Sequence, residues 1–325
     1  MKIVCTSAVP AVARELFAPF GGIEVRDPAD RSFLGDVEVL VVRAGVVDAA
    51  LLEAAPRLRV VARTGAGYDS VDVAAATARD VVVLYAPDAG VTPVAEGTFA
   101  LILAAAKRLR RLGNVLQRSD WDGRYGVHVA DLEGAVLGIV GYGRIGRAVG
   151  RLGEAFGMRV IAHDPLLASD AVPTDVELVG LEQLVGCADV ITLHCALTEQ
   201  TRGLFDRRLL ARCKPGAVLV NVARGGIVES GETLLDALEA GWLSAVGLDV
   251  FEHEPPRKDD PLLAHPDVVC TPHAIGLTAG WNARVFGTLA RGLELLARGE
   301  RPQHVVNGEL LDGGGWSLMA PVPSA

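Results

Sequence analysis

The segment Gly141-Tyr-Gly-Arg-Ile-Gly146 limits the possible folds of this chain more than any other feature. An apolar run, residues 135–140, leads directly into it and an amphipathic segment follows, so the sequence predicts a strand, a tight turn and a helix. Glycine tolerates the turn and lets the backbone approach a pyrophosphate, which then lies over the unpaired N–H groups of the helix N-terminus. A dinucleotide is therefore expected at Gly141, Gly143 and Gly146.

Asp164 indicates which dinucleotide is expected. It follows the next apolar run, residues 158–162, roughly 20 residues after the glycines, where an acid binds a ribose 2′-hydroxyl. A carboxylate at this place would repel the extra 2′-phosphate of NADP, and no arginine immediately follows it to receive that phosphate. NAD is therefore the predicted cofactor.

Length and charge narrow the class of protein. At 325 residues the chain exceeds the usual size of one core, so two domains are expected. Lys and Arg number 31 against 40 Asp and Glu, giving a net charge of −9, so neither nucleic acid nor an anionic membrane is an expected partner. The longest apolar stretch, within residues 98–106, is too short to span a membrane, and the N-terminus lacks the apolar run of a signal peptide. A cytoplasmic location is expected.

The cysteines suggest no metal and no disulfide framework. An odd number of scattered cysteines without a Cys-x-x-Cys pair is not typical of either. The five thiols are expected to be small buried apolar residues. They are Cys5, Cys187, Cys195, Cys213 and Cys270.

Apolar β-branched runs alternate with helical patterns, which is typical of parallel βαβ units. Thr92-Pro93 predicts the N-cap and first turn of a long helix that reaches about Arg111 and is closed by Gly113-Asn114. The final helix, residues 278–297, and the run Val305-Val306 are expected to return to the first layer. Strands are expected at residues 2–5, 37–42, 58–62 and 81–84, and then at 135–140, 158–162, 190–193, 217–222, 245–249 and 268–270.

The expected fold class is therefore α/β, with two doubly wound parallel-sheet domains. A Rossmann NAD-binding domain, residues 93–280, is inserted into a flavodoxin-like substrate domain, residues 1–92 plus 281–325. The tail from Gly313 is too short and too rich in glycine and proline to form a further domain.

Three polar positions follow strands of the second series. Arg224 lies on a glycine loop after residues 217–222, where its planar guanidinium can hold a carboxylate through two hydrogen bonds. The segment after Asp249 carries acids, among them Glu252 and Glu254, and Cys270-Thr-Pro-His273 places an imidazole beyond another strand end. A carboxylate in contact with a histidine favours the imidazolium, which keeps a proton available. These groups suit hydride exchange with a 2-oxo acid.

Several stretches in order then resemble one family, the D-isomer-specific 2-hydroxyacid dehydrogenases, including their phosphoglycerate dehydrogenase branch. The resemblance covers nearly all of residues 1–310. The stretches are Arg63–Asp72, Val94–Glu96, Leu137–Gly146, Asn221–Gly225, Leu248–Glu252 with Glu254-Pro255, and Thr271–His273.

This resemblance implies roles for individual residues. Arg224 would bind and polarise the substrate, His273 would be the acid and base, and Glu254, rather than Glu252, would orient and charge His273. The long helix after Thr92 would help to form a homodimer. The residues that the resemblance implies to contact NAD are Arg144, Ile145, Asp164, Val222, Ala223, Asp249 and Gly276. The glycines, Thr98, His194, Arg224 and His273 are further residues expected to contact it.

Some of these assignments have a plainer alternative. His194 could face the cofactor or be a strand-end histidine with satisfied hydrogen bonds, and Asp249 could bind the cofactor or only cap its loop. The loop Gly65-Ala66-Gly67 can present successive N–H groups to an acid or be only a turn. Outside its motif, Arg224 would be a solvated salt-bridge partner.

The substrate is a small 2-oxo or D-2-hydroxy acid, and its identity stays open. Arg43 and Arg63 are expected to add positive charge to the substrate site, which would suit a second anionic group. Asp88, in contrast, would discourage a phosphate. Two alternatives are a phosphite-type dehydrogenase of the same family and an NAD(H)-binding transcriptional corepressor.

Overall fold

The computed structural model describes residues 1–27, 29–168, 176–313 and 316–318. The chain divides into two compact units, Met1–Gly90 with Leu277–Ala325 (unit 1) and Val91–Gly276 (unit 2). The sequence predicts divisions after residues 92 and 280. The helix that opens unit 2 begins at Val91, which brings the first division to Gly90.

Five parallel strands form the sheet of unit 1: β1 (Ile3–Cys5), β2 (Glu24–Val25), β3 (Val39–Val42), β4 (Val60–Arg63) and β5 (Val82–Leu84). Their order is β2-β1-β3-β4-β5, the doubly wound order of flavodoxin-like sheets. The central strands are continuous apolar runs because both faces of the sheet are covered.

Helices cover the sheet of unit 1, and side-chain caps define where several of them begin. Asp48, Asp72 and Thr278 each accept a hydrogen bond from a backbone N–H of the first turn that follows. The last helix buries Phe286, whose ring meets that of Phe17 edge to face at 6.2 Å. The helices are α1 (Ala11–Phe17), α2 (Ala49–Ala54), α3 (Val73–Thr77) and, after unit 2, α11 (Ala279–Ala297).

Seven parallel strands form the sheet of unit 2: β6 (Val136–Val140), β7 (Arg159–His163), β8 (Glu177–Leu178), β9 (Val190–Leu193), β10 (Ala217–Asn221), β11 (Leu243–Leu248) and β12 (Val268–Cys270). Their order is β12-β11-β10-β9-β6-β7-β8. This is the Rossmann order with one added strand, and it reverses between β6 and β9, where ligands of such sheets bind.

Helices again lie on both faces of the sheet of unit 2, over two separate apolar clusters. They are α4 (Val91–Ala106), α5 (Leu109–Gln117), α6 (Arg144–Ala155), α7 (Leu181–Cys187), α8 (Arg207–Leu210), α9 (Gly231–Glu239) and α10 (Pro261–Ala264). The predicted fold class is therefore confirmed.

The predicted long helix is wrong in its detail. Helix α4 includes Thr92 instead of being capped by it, and the helix breaks at Arg108, which has a left-handed φ of 52°. The guanidinium of Arg108 hydrogen-bonds to the Ser244 carbonyl oxygen and to Asp267, so a tertiary contact accompanies the break. Gly113 and Asn114, predicted to close the helix, lie inside α5.

Two further predictions need comment. Val305 pairs with Leu84 in an isolated antiparallel bridge, which explains why its run returns to unit 1. Cys187 is exposed and Cys195 and Cys270 are half-buried, contrary to the prediction of five buried thiols. Cys5 and Cys213 are buried, and burial raises the pKa of Cys213 to about 12. Within the described residues, no helix has the length and apolar character that a membrane span needs.

Candidate active site

The turn after β6 has the geometry that a dinucleotide requires. Gly141 has a φ of +90°, and a Cβ at this position would lie 2.5 Å from the Cys195 nitrogen. A Cβ on Gly146 would lie 2.3 Å from the Gly141 carbonyl oxygen, so a side chain there would also clash with backbone. Gly143 is the N-cap of α6 and, as a glycine, provides no side-chain cap for the first turn of that helix. The N–H groups of Gly141 and Tyr142 donate to the His163 carbonyl oxygen and to Asp164, so a phosphate would be bound by N–H groups at the start of α6.

Asp164 follows β7, beside this turn. Its two carboxylate oxygens accept the Tyr142 N–H at 2.9 Å and the Leu166 N–H at 3.0 Å. These bonds fix the carboxylate next to the glycine turn, as expected for an acid that binds a ribose.

His194 follows β9, at the position where the strand order reverses. Its backbone N–H donates to the Val140 carbonyl oxygen at 2.7 Å, but its Nε2 is buried without a hydrogen-bond partner among the described residues. Burial lowers the pKa of His194 to about 3, so the ring is neutral. The alternative of a fully satisfied strand-end histidine is therefore not what the structure has. An unpartnered ring nitrogen beside the glycine turn fits a ligand at this place.

Arg224 lies on a short loop that a buried asparagine fixes. Asn221, only 1% exposed, donates to the Arg224 carbonyl oxygen at 2.9 Å and accepts the Ala223 N–H at 3.0 Å. Gly225 allows this loop to pack against the backbone of Phe251, since a Cβ at position 225 would lie 2.0 Å from the Phe251 carbonyl carbon. Sequence reasoning quoted Asn221 in a motif but assigned it no role.

Asp249 holds the loop that carries His273. This carboxylate is 3% exposed, and its Oδ1 accepts the Thr271 hydroxyl at 2.7 Å, the Ala274 N–H at 2.9 Å and the Ile275 N–H at 3.1 Å. Burial raises the pKa of Asp249, although these hydrogen bonds and the charge of His273 act in the opposite direction. Asp249 therefore caps this loop, and a contact between Asp249 and the cofactor stays a prediction. Sequence reasoning missed Thr271 as its partner.

The side chains of His273 and Glu254 form a direct pair. Nδ1 of His273 lies 2.7 Å from Oε2 of Glu254, whereas Oε1 of Glu252 lies 4.0 Å from Nε2 of the adjacent His253. Burial acts to raise the pKa of Glu254, but the His273 hydrogen bond and charge, the Phe251 N–H and the charge of Arg224 outweigh it and hold that pKa below its ordinary value. Glu254 is therefore an anion beside His273. Because Glu254 contacts Nδ1 of the His273 ring, Nε2 of that ring can bind another partner.

The other predicted cofactor residues of unit 2 differ in how far they are exposed. Thr98 is fully buried and donates its hydroxyl to the Val94 carbonyl oxygen, and its contact with the cofactor stays a prediction. Gly276 is buried against Val94. Arg144 is exposed and Ile145 is partly buried in the first turn of α6, and Val222 and Ala223 lie between β10 and Arg224.

Unit 1 carries the predicted substrate residues. Gly65 has a φ of +117°, and the described hydrogen bonds include none donated by the N–H groups of Gly65, Ala66 or Gly67, which agrees with an anion-binding loop. Arg63 donates from Nη1 to three carbonyl oxygens, of residues 42, 43 and 64, so it supports its own loop. Arg43 donates to the Ala8 carbonyl oxygen and lies over the Trp281 ring. Both guanidinium groups keep their positive charge in these contacts, and their binding to a substrate stays a prediction.

The described residues contain no group of three or more His, Cys, Asp and Glu side chains that could hold a metal ion. The donor set instead suits a dinucleotide: a turn that requires glycine at positions 141 and 146, an acid for a ribose and a histidine nitrogen without a partner among the described residues.

The sheet order and the glycine turn define the class of dinucleotide-binding α/β proteins. Residues 99–274 match the model of the NAD-binding domain of the D-isomer-specific 2-hydroxyacid dehydrogenases. The chain belongs to this family, and the prediction of an NAD-binding domain is confirmed.

Individual relatives support the assignment to this family. A D-3-phosphoglycerate dehydrogenase of Methanocaldococcus jannaschii is 39% identical over 315 residues, which cover 94% of this chain and 59% of that protein. The chain thus spans just under three fifths of that relative. A glyoxylate reductase of Korarchaeum cryptofilum is 39% identical over 269 residues, which cover 82% of this chain and 81% of that protein. Among solved structures, a Thermus thermophilus protein superposes with a TM-score of 0.85 at 32% identity, covering 94% of this chain and all of that one.

A further solved relative includes ligands. The structure of D-lactate dehydrogenase from Aquifex aeolicus, complexed with NAD and lactic acid, superposes with a TM-score of 0.82 at 25% identity and covers 92% of this chain and 96% of that chain.

Proposed function

We propose that this protein is an NAD-dependent oxidoreductase that interconverts a small D-2-hydroxy acid and its 2-oxo acid. The observation that supports it most is the His273–Glu254 pair, 2.7 Å apart, beside Arg224 on the sheet that carries the glycine turn. The relatives named above act on phosphoglycerate, glyoxylate and lactate, which are all 2-hydroxy acids or 2-oxo acids.

The cofactor would be held by the glycine turn and by Asp164, with His194 Nε2 as an additional polar contact. The bound dinucleotide would supply the hydride acceptor for oxidation of the hydroxy acid and, in its reduced form, the hydride donor for reduction of the oxo acid. The residues of the protein bind the substrate and the cofactor and transfer the proton.

Each polar side chain of the site has a separate task. The planar guanidinium of Arg224 binds the substrate carboxylate and polarises the adjacent carbonyl. Nε2 of His273 donates a proton to the carbonyl oxygen during reduction and removes it during oxidation. Glu254, an anion in contact with Nδ1, orients the ring and stabilises the imidazolium that oxidation forms. Asn221 and Asp249 are positioning residues, because they hold the loops of Arg224 and His273.

We also propose that the protein forms a homodimer through residues 109–129. This segment exposes large apolar side chains, among them Trp121 and Tyr125, which are 67% and 74% exposed. Adjacent exposed apolar residues of this size are typical of an interaction surface. Sedimentation velocity should give a dimer mass for the wild type and a monomer mass for a Trp121→Asp, Tyr125→Asp variant. A monomeric wild type would contradict the proposal. A cytoplasmic location stays a prediction from the sequence.

The reaction is tested by following NADH absorbance with glyoxylate, hydroxypyruvate, phosphohydroxypyruvate and pyruvate. We expect NADH-dependent reduction of at least one of them, with a D-configured product where the product is chiral. NADH binding without turnover of any 2-oxo acid would contradict the proposed enzyme and favour the corepressor alternative. NAD reduction with phosphite alone would favour the phosphite-type alternative.

A further inference from the structure

Two loops of unit 2 touch through their backbones. We name residues 222–228 the Arg224 loop and residues 250–256 the Glu254 segment. A Cβ at position 225 would lie 2.0 Å from the Phe251 carbonyl carbon and 2.1 Å from its oxygen, so Gly225 packs directly against backbone of the Glu254 segment. These neighbours are main-chain atoms, which cannot turn away as the end of a flexible side chain can.

Hydrogen bonds fix the Arg224 loop much more firmly than the Glu254 segment. The side chain of Asn221 bonds to two backbone groups of the Arg224 loop, and Gly225–Ile227 form a single 3-10 turn whose last residue is fully buried. In contrast, the described backbone–backbone hydrogen bonds include none made by residues 250–256. A side chain added at position 225 would therefore displace the Glu254 segment and leave the Arg224 loop in place.

The orientation of Glu254 depends on this segment. Its Oε2 contacts Nδ1 of His273 at 2.7 Å, and its Oε1 accepts the Phe251 N–H at 3.2 Å. The Glu254 side chain is 39% exposed, so surrounding protein alone does not confine it and the Phe251 N–H fixes the second oxygen. Phe251 thus contacts Gly225 and Glu254 through the same short stretch of backbone.

We propose that Gly225 is a positioning residue for Glu254, because it places the Phe251 backbone that orients this carboxylate toward the His273 ring. The inference rests on the proposed function and adds a residue to its mechanism. Restoring a distance of 3.0 Å, below which Cβ contacts essentially do not occur, would move the Phe251 carbonyl by about 1 Å. A displacement of about 1 Å can reduce an enzymatic rate by about 10²-fold.

The test compares Gly225→Ala with the matched control Gly226→Ala. Neither glycine has a left-handed φ, so alanine suits the backbone at both positions. A Cβ at position 226 would lie 3.4 Å or more from its neighbours, which is ordinary contact. For the 2-oxo acid that the wild type reduces fastest, Gly225→Ala should lower kcat by about 10²-fold, whereas Gly226→Ala should keep the wild-type rate. NADH binding, followed by fluorescence, should be unchanged in both variants.

A double-mutant cycle determines whether Gly225 acts through Glu254. Glu254→Gln should itself lower kcat, because a neutral amide does not stabilise the imidazolium. Adding Gly225→Ala to this variant should lower kcat by no more than about twofold further, because the carboxylate that Gly225 positions is already absent. A further loss of about 10²-fold, or a Gly225→Ala variant with a raised KM for the 2-oxo acid and an unchanged kcat, would assign the effect to Arg224 and overturn the proposal.

Hydrogen exchange of the Phe251 amide provides a readout that does not depend on turnover. This amide should exchange faster in Gly225→Ala than in the wild type and in Gly226→Ala, because its bond to Glu254 is disturbed. If thermal melts show that Gly225→Ala does not fold, Glu254→Ala takes its place, and the Phe251 amide should exchange faster there because its acceptor is removed.

The outcomes are distinguishable. An unchanged exchange rate of the Phe251 amide in the folded variant, or a wild-type kcat in Gly225→Ala, would show that Gly225 does not position Glu254, and the proposed function would stand. If the wild type reduces no 2-oxo acid, both the proposed function and this role of Gly225 are wrong.

Discussion

Replacing Asp249 by alanine should loosen the loop that carries His273 without touching any catalytic group. The substitution removes the acceptor of three hydrogen bonds, two of which come from the backbone N–H groups of Ala274 and Ile275. Hydrogen bonds to a charged group contribute about 1.5–3 kcal/mol each, but burial of the carboxylate has its own cost. We therefore expect a net loss of about 2–4 kcal/mol.

Asp249→Asn is the informative partner variant, because it keeps an acceptor oxygen and removes the buried charge. The folded-state pKa of Asp249 lies above its ordinary value, so the folded protein binds this proton more tightly than the unfolded chain. Wild-type stability relative to Asp249→Asn should therefore fall as the pH rises from about 3.9 through the raised pKa, and stay constant above it.

Thermal melts and hydrogen exchange measure these effects. The alanine variant should melt about 4–16 °C below the wild type, given a loss of about 2–4 kcal/mol and about 2–4 °C per kcal/mol for a unit of this size. The amides of Ala274 and Ile275 should exchange much faster, and kcat should fall because His273 is misplaced. An alanine variant with unchanged melting and unchanged exchange at these amides would refute the reasoning.

Three further predictions concern charges. Arg224→Lys should reduce kcat/KM by about 10²-fold or more, because one ammonium cannot replace two parallel hydrogen bonds, and equal kinetics would reject the assigned role. Asp164→Ala should narrow the preference for NAD over NADP, measured as the ratio of kcat/KM values, and an unchanged ratio would contradict a ribose contact. Asp267→Asn should destabilise the protein by about 3 kcal/mol at pH 7, because it leaves the largely buried Arg108 without its anion. Burial acts to raise the pKa of Asp267, but the Arg111 hydrogen bond and the two arginine charges hold that pKa below its usual range. The difference in unfolding free energy between wild type and Asp267→Asn should therefore disappear only as acid protonates this carboxylate. A difference in urea unfolding that does not depend on pH would contradict this prediction.

Strands and their order follow from local pattern where the chain is apolar and continuous. The bounds of the strands 190–193 and 268–270 could be predicted from sequence alone because each apolar run has a polar residue on both sides. The edge strands Glu24–Val25 and Glu177–Leu178 have two residues each and no such run, so no pattern distinguishes them from loop. The break at Arg108 depends on a distant carboxylate, Asp267, and no local signal marks it.

The same distinction between local and tertiary information applies to the site residues. Motifs indicated Arg224, Glu254 and His273, and a single spacing argument indicated Asp164. The direction of a side chain is not local information, so the three carbonyl oxygens that the Arg63 guanidinium contacts could not be predicted from its motif. Burial of Thr98 under its neighbours is a tertiary property for the same reason.

The most direct test of the central claim is the rate of glyoxylate reduction by His273→Ala, measured together with NADH binding by fluorescence. Proton transfer by a positioned histidine contributes about 10²–10⁴-fold, so the variant should lose that much kcat while NADH affinity stays at the wild-type value. Turnover near the wild-type rate would contradict the role of His273 and, with it, the proposed mechanism.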